Sequence, residues 1–445
     1  MRFNAAQSRD RYGLLLTVFI LMIIFILVFN LVSINKERFS SNGVTRIYFA
    51  DNMSEGHLAL VQRFNQRFAG EIEVVPIDLP FTKFSTNERK ELLARSLRSR
   101  DSRIDVFAID LIWTPRFVKW GEPLSKYFMQ GDLAQVLPQA LQTCYFGNSL
   151  VGVPIYIDVG VMYYRRDLLN RVPGGRQFSQ KLKNSVRWEE LIAFSQQAFP
   201  NRPIYLFQAD RYEGLVCNYF EILGNLGGSP YQNQVLSFAT PQSYQAAQFM
   251  YDLIHRYHLA PIEVTHFNER ESYYYALRND VPFFRGWSGY LKDIPLTTAD
   301  SLIVQQLEVA MLPHFDNQQP TTIFGGWNLM ISKYSSHKTE AVRFLNFMLE
   351  EESQRILFET SGFLPTRKSL YTDSTLTRRY PYLTFLKKVI ESGQHRPALI
   401  EYTRISDILS SYLNRALSGE ISVAEALRSI DATIAKQKLI GLRIP

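Results

Sequence analysis

The chain is expected to fold as an α/β protein built around a parallel sheet, and three stretches carry that expectation. Val44 to Asp110 alternates strand, helix, strand, helix, strand, the pattern of a parallel sheet with helices on its faces. Val151 to Leu169, VGVPIYIDVGVMYYRRDLL, is a long apolar strand pattern rich in Val, Ile and Tyr, interrupted by one lone acid, Asp158. Ile323 to Ser332, IFGGWNLMIS, reads as a further strand, broken by two glycines. The composition agrees: 46% of the 445 residues are hydrophobic and 20% charged, so most of the chain has enough apolar surface to fold. The length suits about two to three domains.

Taken in order, residues 1–12 are polar, with Arg2, Arg9 and Arg11. Gly13 to Ser33, GLLLTVFILMIIFILVFNLVS, then carries no charge. At 1.5 Å per residue a helix of this length spans about 30 Å, the hydrocarbon core of a bilayer. The exit, Leu31 to Lys36, has no small-residue cleavage pattern and no cysteine to accept a lipid. An uncleaved single-pass anchor is therefore expected, with a cleaved signal peptide as the alternative. Residues 34–43 read as a linker.

Val44 to Ala50 is a strand, and Ser54 is placed to cap a helix over His57 to Phe68, whose Leu60, Val61, Phe64 and Phe68 form one apolar face. Ile72 to Ile77 and Ile104 to Ile109 are strands, with a helix over Glu88 to Leu97 between them. The third strand ends at Asp110, beyond a carboxyl end, where ligands bind in such sheets. Val172 to Lys183 reads as a basic, glycine-containing loop. Helices follow over Trp188 to Ala198, Tyr212 to Leu223, Pro241 to His258 and Arg270 to Arg278. Strands are read at Val281 to Trp287 and Leu307 to Leu312, a helix at His337 to Glu350, and predominantly helix beyond Pro381. On the residues alone these elements make one large doubly wound domain.

Asp158 has two readings on its own stretch. A buried carboxylate needs hydrogen bonds, so it either faces a polar pocket at a strand end or caps the following turn. Tyr156, two residues earlier, lies on the same face by strand alternation. An acid beside an aromatic ring suits a sugar, whose hydroxyls donate to the carboxylate while the ring covers its C–H face.

Several function classes are disfavoured. Two cysteines, Cys144 and Cys217, make neither a disulfide framework nor a cysteine-rich metal site. The net charge of +7 is scattered; Arg95, Arg98, Arg100 and Arg103 cluster, but with Asp101 and Asp105 among them, and read as a solvated helix edge rather than a nucleic-acid face. His255 and His258, in HRYH, could suggest a metal pair, but read rather as a coincidence on a helix surface. No G-x-S-x-G, H-E-x-x-H or P-loop occurs, and no glycosidase carboxylate spacing is evident, so neither an enzyme nor a bound cofactor is expected.

The order of motifs carries more than any one of them. DVFAIDLIW, VPIYIDVGVMYYRRDLL, WEELI, YEGLVCNYFEILGNLGG, FFRGW, FGGWNLMISKYS and LPTRKSLY follow one another as in the family 1 extracellular solute-binding proteins, and the chain from about Val44 to about Lys436 resembles their trehalose/maltose-binding branch. The resemblance implies a type II periplasmic-binding-protein fold: two discontinuous α/β lobes, 44–155 plus 326–378 and 156–325 plus 379–445, with a ligand cleft between them, here preceded by one N-terminal transmembrane helix at 13–33. The chain would cross between lobes near Tyr156, near Gly325–Trp327 and near Thr377–Tyr380, so the strands would belong to two sheets.

It also implies a ligand set. Asp110 and Asp158 match the family's sugar-binding carboxylates, Tyr156 a cleft aromatic, and Glu55 an acid on the opposite rim. Arg89 resembles the arginine that reaches the sugar from the second helix, with Lys90 or Arg95 as alternative registers. Trp287 and Trp327 match two tryptophans that sandwich sugar rings, Gly326 permits close backbone approach, and Arg396 matches an arginine of the carboxyl-terminal part. Ser288-Gly289 departs from the proline or larger polar pattern usual after the first tryptophan. In this set the aromatics are separable from the charges. The implied protein is the sugar-binding subunit of an ABC importer, partnered by a permease and a separate ATPase, held on the outer side of the cytoplasmic membrane, and binding an α-linked disaccharide or glucoside; the alternatives are a glycosidase-like carbohydrate-active enzyme and a membrane-anchored sugar sensor.

Overall fold

The computed structural model describes residues 43–80, 86–100, 103–129, 131–232, 235–289 and 297–437. The apolar run 13–33 and the linker up to residue 42 lie outside them. Among the described residues no helix is long and apolar enough to cross a membrane.

The expected β/α alternation opens the fold: β1 (Thr45–Asp51), α1 (Glu55–Arg67), β2 (Ile72–Asp78), α2 (Thr86–Arg98) and β3 (Val106–Asp110). Both β2 and β3 pair with β1 in parallel. Ser54 caps α1 by accepting from the His57 amide, and Leu60, Val61 and Phe64 are buried beneath it. β4 (Val153–Arg165) follows, then α3 (Gly175–Leu182), α4 (Trp188–Ala198), β5 (Tyr205–Leu206), α5 (Glu213–Asn225), α6 (Pro241–His255), α7 (Glu269–Arg278), β6 (Phe283–Trp287), β7 (Leu307–Ala310) and β8 (Thr322–Ile331). The chain closes with α8 (Lys338–Met348), α9 (Glu351–Ser361), α10 (Tyr382–Glu391), β9 (Gly393–Gln394), α11 (Tyr402–Leu417) and α12 (Val423–Lys436).

Among the described residues these nine strands form one sheet, in the order β2-β1-β3-β8-β4-β6-β5 with β7 on β4 and β9 on β8, beside two small two-stranded pairs. This is not the doubly wound parallel sheet that the residues alone suggested. β8 runs antiparallel to both β3 and β4, and β6 and β7 run antiparallel to β4. Two long strands are shared between two regions of sheet. β4 pairs with β8 through Val153–Val159 and with β6 through Gly160–Tyr164; β8 pairs with β3 through Trp327–Ile331. Thirteen residues of β4 at about 3.3 Å each make a strand of roughly 40 Å, long enough to serve both regions. Buried side chains line almost its whole length.

Three sequence readings change here. Residues 175–182 form α3 rather than a loop, because Phe178 and Leu182, four residues apart, are both buried, and the Phe178 ring stacks on Phe194 of α4 at 4.0 Å. Gly325 and Gly326 do not break β8: strands on either side hold it, and the irregularity is one register shift between Trp327 and Asn328. Asp158 also sits in the middle of β4 rather than at a strand end, at the point where β4 passes from one region to the other.

Candidate functional site

A cavity of about 140 Å³ lies where β3, β4, β6 and β8 meet. Seven of the nine residues singled out in the sequence line it: Asp110, Tyr156, Asp158, Trp287, Gly326, Trp327 and Arg396. Strand register explains their convergence. Asp110 ends β3 opposite Trp327, Trp327 pairs with Tyr156, Gly325 with Asp158, and Gly160 with Trp287.

Asp158 is held by three donors on one oxygen. The amides of Val159 and Ser288 donate to Oδ1, each at 2.9 Å, and the Ser288 hydroxyl donates to it as well. Among the described residues no donor is placed on Oδ2. Burial pushes the carboxyl up to about 6 against the opposing pull of these bonds. Ser288, the departure from the family pattern, is thus a direct partner of the acid.

Arg396 joins two carboxylates from distant parts of the chain. It donates to Asp110 Oδ1 at 2.9 Å and to Glu213 Oε1 at 2.7 Å, and is 2% exposed. Glu213 also accepts from the Tyr402 hydroxyl at 2.5 Å and from that of Ser406. Burial raises the Asp110 carboxyl, with Arg396 opposing. Burial also acts against the charge of Arg396, and the flanking carboxylates outweigh it, holding the guanidinium well above its ordinary range.

Tyr156 stacks on Phe363, centroids 4.1 Å apart at 10°. Gly326 has φ 129°, and a Cβ there would fall 2.5 Å from the Tyr156 carbonyl oxygen, so β8 can approach β4 this closely only with glycine. The Trp287 indole N–H donates to Glu269 at 3.1 Å, and Glu269 accepts from the Tyr212 hydroxyl at 2.7 Å. Trp327 is 8% exposed and meets Trp113 edge-on at 5.6 Å.

Two sequence-predicted residues lie off the lining. Glu55 is exposed in the first turn of α1, where its charge complements the helix N-terminus. Arg89 is buried, donates to Asp51 at 3.1 Å and lies over the Trp327 ring at 4.4 Å. Asp51 also faces His57 at 3.5 Å, and burial holds that imidazole below its ordinary range. The aromatics are therefore not separable from the charges.

Sequence reasoning missed Tyr212, Glu213, Cys217, Glu269, Gly325 and Phe363, which also line the cavity. Glu213, Cys217 and Glu221 lie four residues apart along one face of α5, a signal that was present in YEGLVCNYFE. Glu269 was hidden, because an acid in the first turn of a helix needs no ligand to explain it. Cys144 and Cys217 are both free and buried. His255 bonds the Leu417 carbonyl and stacks on Tyr251, and among the described residues no cluster of three metal-ligating side chains occurs.

The family profile of bacterial extracellular solute-binding proteins matches residues 50–355. A probable ABC transporter-binding protein of Deinococcus radiodurans is 26% identical over 365 residues, 79% of this chain and 84% of that one. The T. maritima protein MalE3, solved with maltose bound, shares 26% identity at a TM-score of 0.76, over 88% of this chain and 100% of its own. The sugar-binding protein MalE of Xanthomonas citri has the same fold at 20% identity and a TM-score of 0.71, over 89% of this chain and 98% of its own.

Proposed function

We propose, on the premise that this chain belongs to the bacterial extracellular solute-binding proteins, that it is the receptor of an ABC importer for an α-linked disaccharide or glucoside of the trehalose, maltose, sucrose or glucosylglycerol type. The observation that carries this reading is the convergence of two tryptophans with hydrogen-bonding acids in one cavity. Trp287 and Trp327 offer flat apolar surface, and Asp158 offers an acceptor oxygen with no protein donor among the described residues. Sugars need both: stacking for their C–H faces and charge-assisted acceptors for their hydroxyls. The maltose bound to T. maritima MalE3 supports the ligand class.

In this reading the shared strands β4 and β8 are the crossovers between two lobes, 44–155 plus 326–378 and 156–325 plus 379–445. The run 13–33 anchors the mature protein in the cytoplasmic membrane, with the lobes outside, and the linker 34–43 reaches at most about 35 Å. Such a tether keeps the receptor concentrated near its permease, whose separate ATPase drives transport. Intact-mass measurement checks the anchor, since a mature chain beginning near Ile34 would remove it.

Ligand bridging the cleft stabilises the closed arrangement. Spin labels at Arg95→Cys on α2 and Arg428→Cys on α12 place one probe in each lobe, and the native thiols are buried. Saturating sugar is expected to narrow and shorten the distance distribution in the full-length protein. A distribution that is broad and unchanged by every sugar bound would refute closure.

A further inference from the structure

Each cavity tryptophan is stacked against a buried arginine, and each arginine is gripped by a carboxylate. The Arg285 Cζ lies 3.9 Å from the Trp287 ring centroid, and the residue is 0% exposed. Its Nε and Nη2 donate to the two oxygens of Glu221 on α5 at 3.1 and 2.7 Å. The Arg89 Cζ lies 4.4 Å from the Trp327 ring centroid, and its Nη2 donates to Asp51 at 3.1 Å.

The sheet is cleared to admit the first pair. Arg285 and Trp287 share one face of β6 by alternation, and register brings Gly160 and Gly325 to that face. A Cβ on Gly160 would fall 2.1 Å from Glu221 Oε1, and one on Gly325 would fall 3.0 Å from Cζ3 of Trp287. The ion pair and the indole fill the room that two missing side chains leave.

An indole with one face against a guanidinium can offer a ligand only its other face and its edge. The guanidinium cannot follow the ring, because Glu221 fixes it in a planar two-point grip. The ring is thus oriented before any ligand arrives, which lowers the entropy lost on stacking.

We propose that Arg285 is a positioning residue for ligand recognition, fixing the plane of Trp287 through its stacked, Glu221-locked guanidinium. The proposal rests on the sugar-receptor reading. It adds a specificity consequence: a preset ring plane favours cyclic sugars with a flat C–H face over linear polyols.

The test uses full-length protein labelled with 5-fluorotryptophan, in which the five tryptophans are few enough to resolve and Trp287→Phe assigns the resonance of interest. The variants are Arg285→Met/Glu221→Gln, which removes the buried pair without stranding a charge, and Arg285→Lys, which keeps the charge but not the planar stack. The expected result is a sharp Trp287 resonance in the unliganded parent protein, broadened or doubled in both variants. Maltose affinity should fall about tenfold or more while D-mannitol affinity changes by less than about threefold, as expected when an anchor loses its preorganisation. If the double variant does not fold, Arg285→Lys carries the same readings. An unchanged resonance in a folded variant overturns the proposal, as does unchanged maltose affinity or an equal loss for maltose and D-mannitol. If the parent protein binds neither probe, the affinity reading is taken with whichever of trehalose, sucrose or glucosylglycerol it binds; binding of none of these makes the sugar reading fall separately, and the unliganded resonance still decides whether Arg285 holds the ring.

Discussion

Asp158→Asn should make the unliganded protein more stable and a poorer receptor. The substitution keeps an oxygen at Oδ1, where Val159 and Ser288 donate, and places an amide where Oδ2 faces no donor among the described residues. Burial raises the carboxyl from 3.8 to about 6. A rise of that size corresponds to about 3 kcal/mol, reduced here to about 1–2 because the side chain is only partly buried, at the cavity lining. The sign follows from the direction of the rise. Protonated Asp158 favours the folded state fully below pH 3.8, and that contribution is lost as pH climbs through about 6. Above pH 6 the ionised carboxylate therefore costs stability, and Asn does not. Thermal unfolding at pH 7.5 should show the variant melting about 1–3 °C higher for a gain of that size, with the difference gone at pH 4. Loss of the charge-assisted acceptor should weaken sugar binding by about 1–2 kcal/mol, roughly tenfold. Parent affinity should fall in the same way as pH drops through about 6. A variant that is destabilised equally at both pH values, or that binds as tightly as the parent, would refute this reasoning.

Trp327→Ala should weaken sugar binding by about 1–3 kcal/mol in calorimetry while the protein remains folded. Arg396→Met leaves the half-buried Asp110 and Glu213 without their shared cation, so chemical denaturation should register a loss of several kcal/mol, at most about 3–5. Gly326→Ala combines a positive φ with a Cβ 2.5 Å from a backbone oxygen; a loss of about 1–3 kcal/mol or more is expected, read as a lowered denaturation midpoint.

Much of this was legible in local sequence. Asp110, Asp158 and the two tryptophans each announce themselves, because an acid or a tryptophan within an apolar strand pattern needs a physical reason. The strands were legible locally as well: runs rich in Val, Ile and aromatic residues bounded by turn residues mark them, and the central ones are buried almost throughout. What stayed hidden is non-local. Arg396 meets Asp110 and Glu213 across 286 and 183 positions, and no periodicity encodes such a meeting. Arg89 shows the converse, since its helix was read correctly while Asp51 and the Trp327 face, not the cavity, hold its guanidinium. The glycines of β8 misled because they normally weaken strands. Here they make room, one for Trp287 and one for the Tyr156 backbone.

The central claim is that an α-linked sugar occupies the cavity between Trp287 and Trp327. Isothermal titration of the full-length protein against trehalose, maltose, sucrose and glucosylglycerol, with D-mannitol alongside, tests it most directly. The account predicts saturable one-site binding of at least one of the four, with a negative heat-capacity change from apolar burial, and weakened binding of that sugar by Trp287→Ala and by Trp327→Ala. Folded protein that binds none of the four, or tryptophan variants that bind as well as the parent, would contradict it.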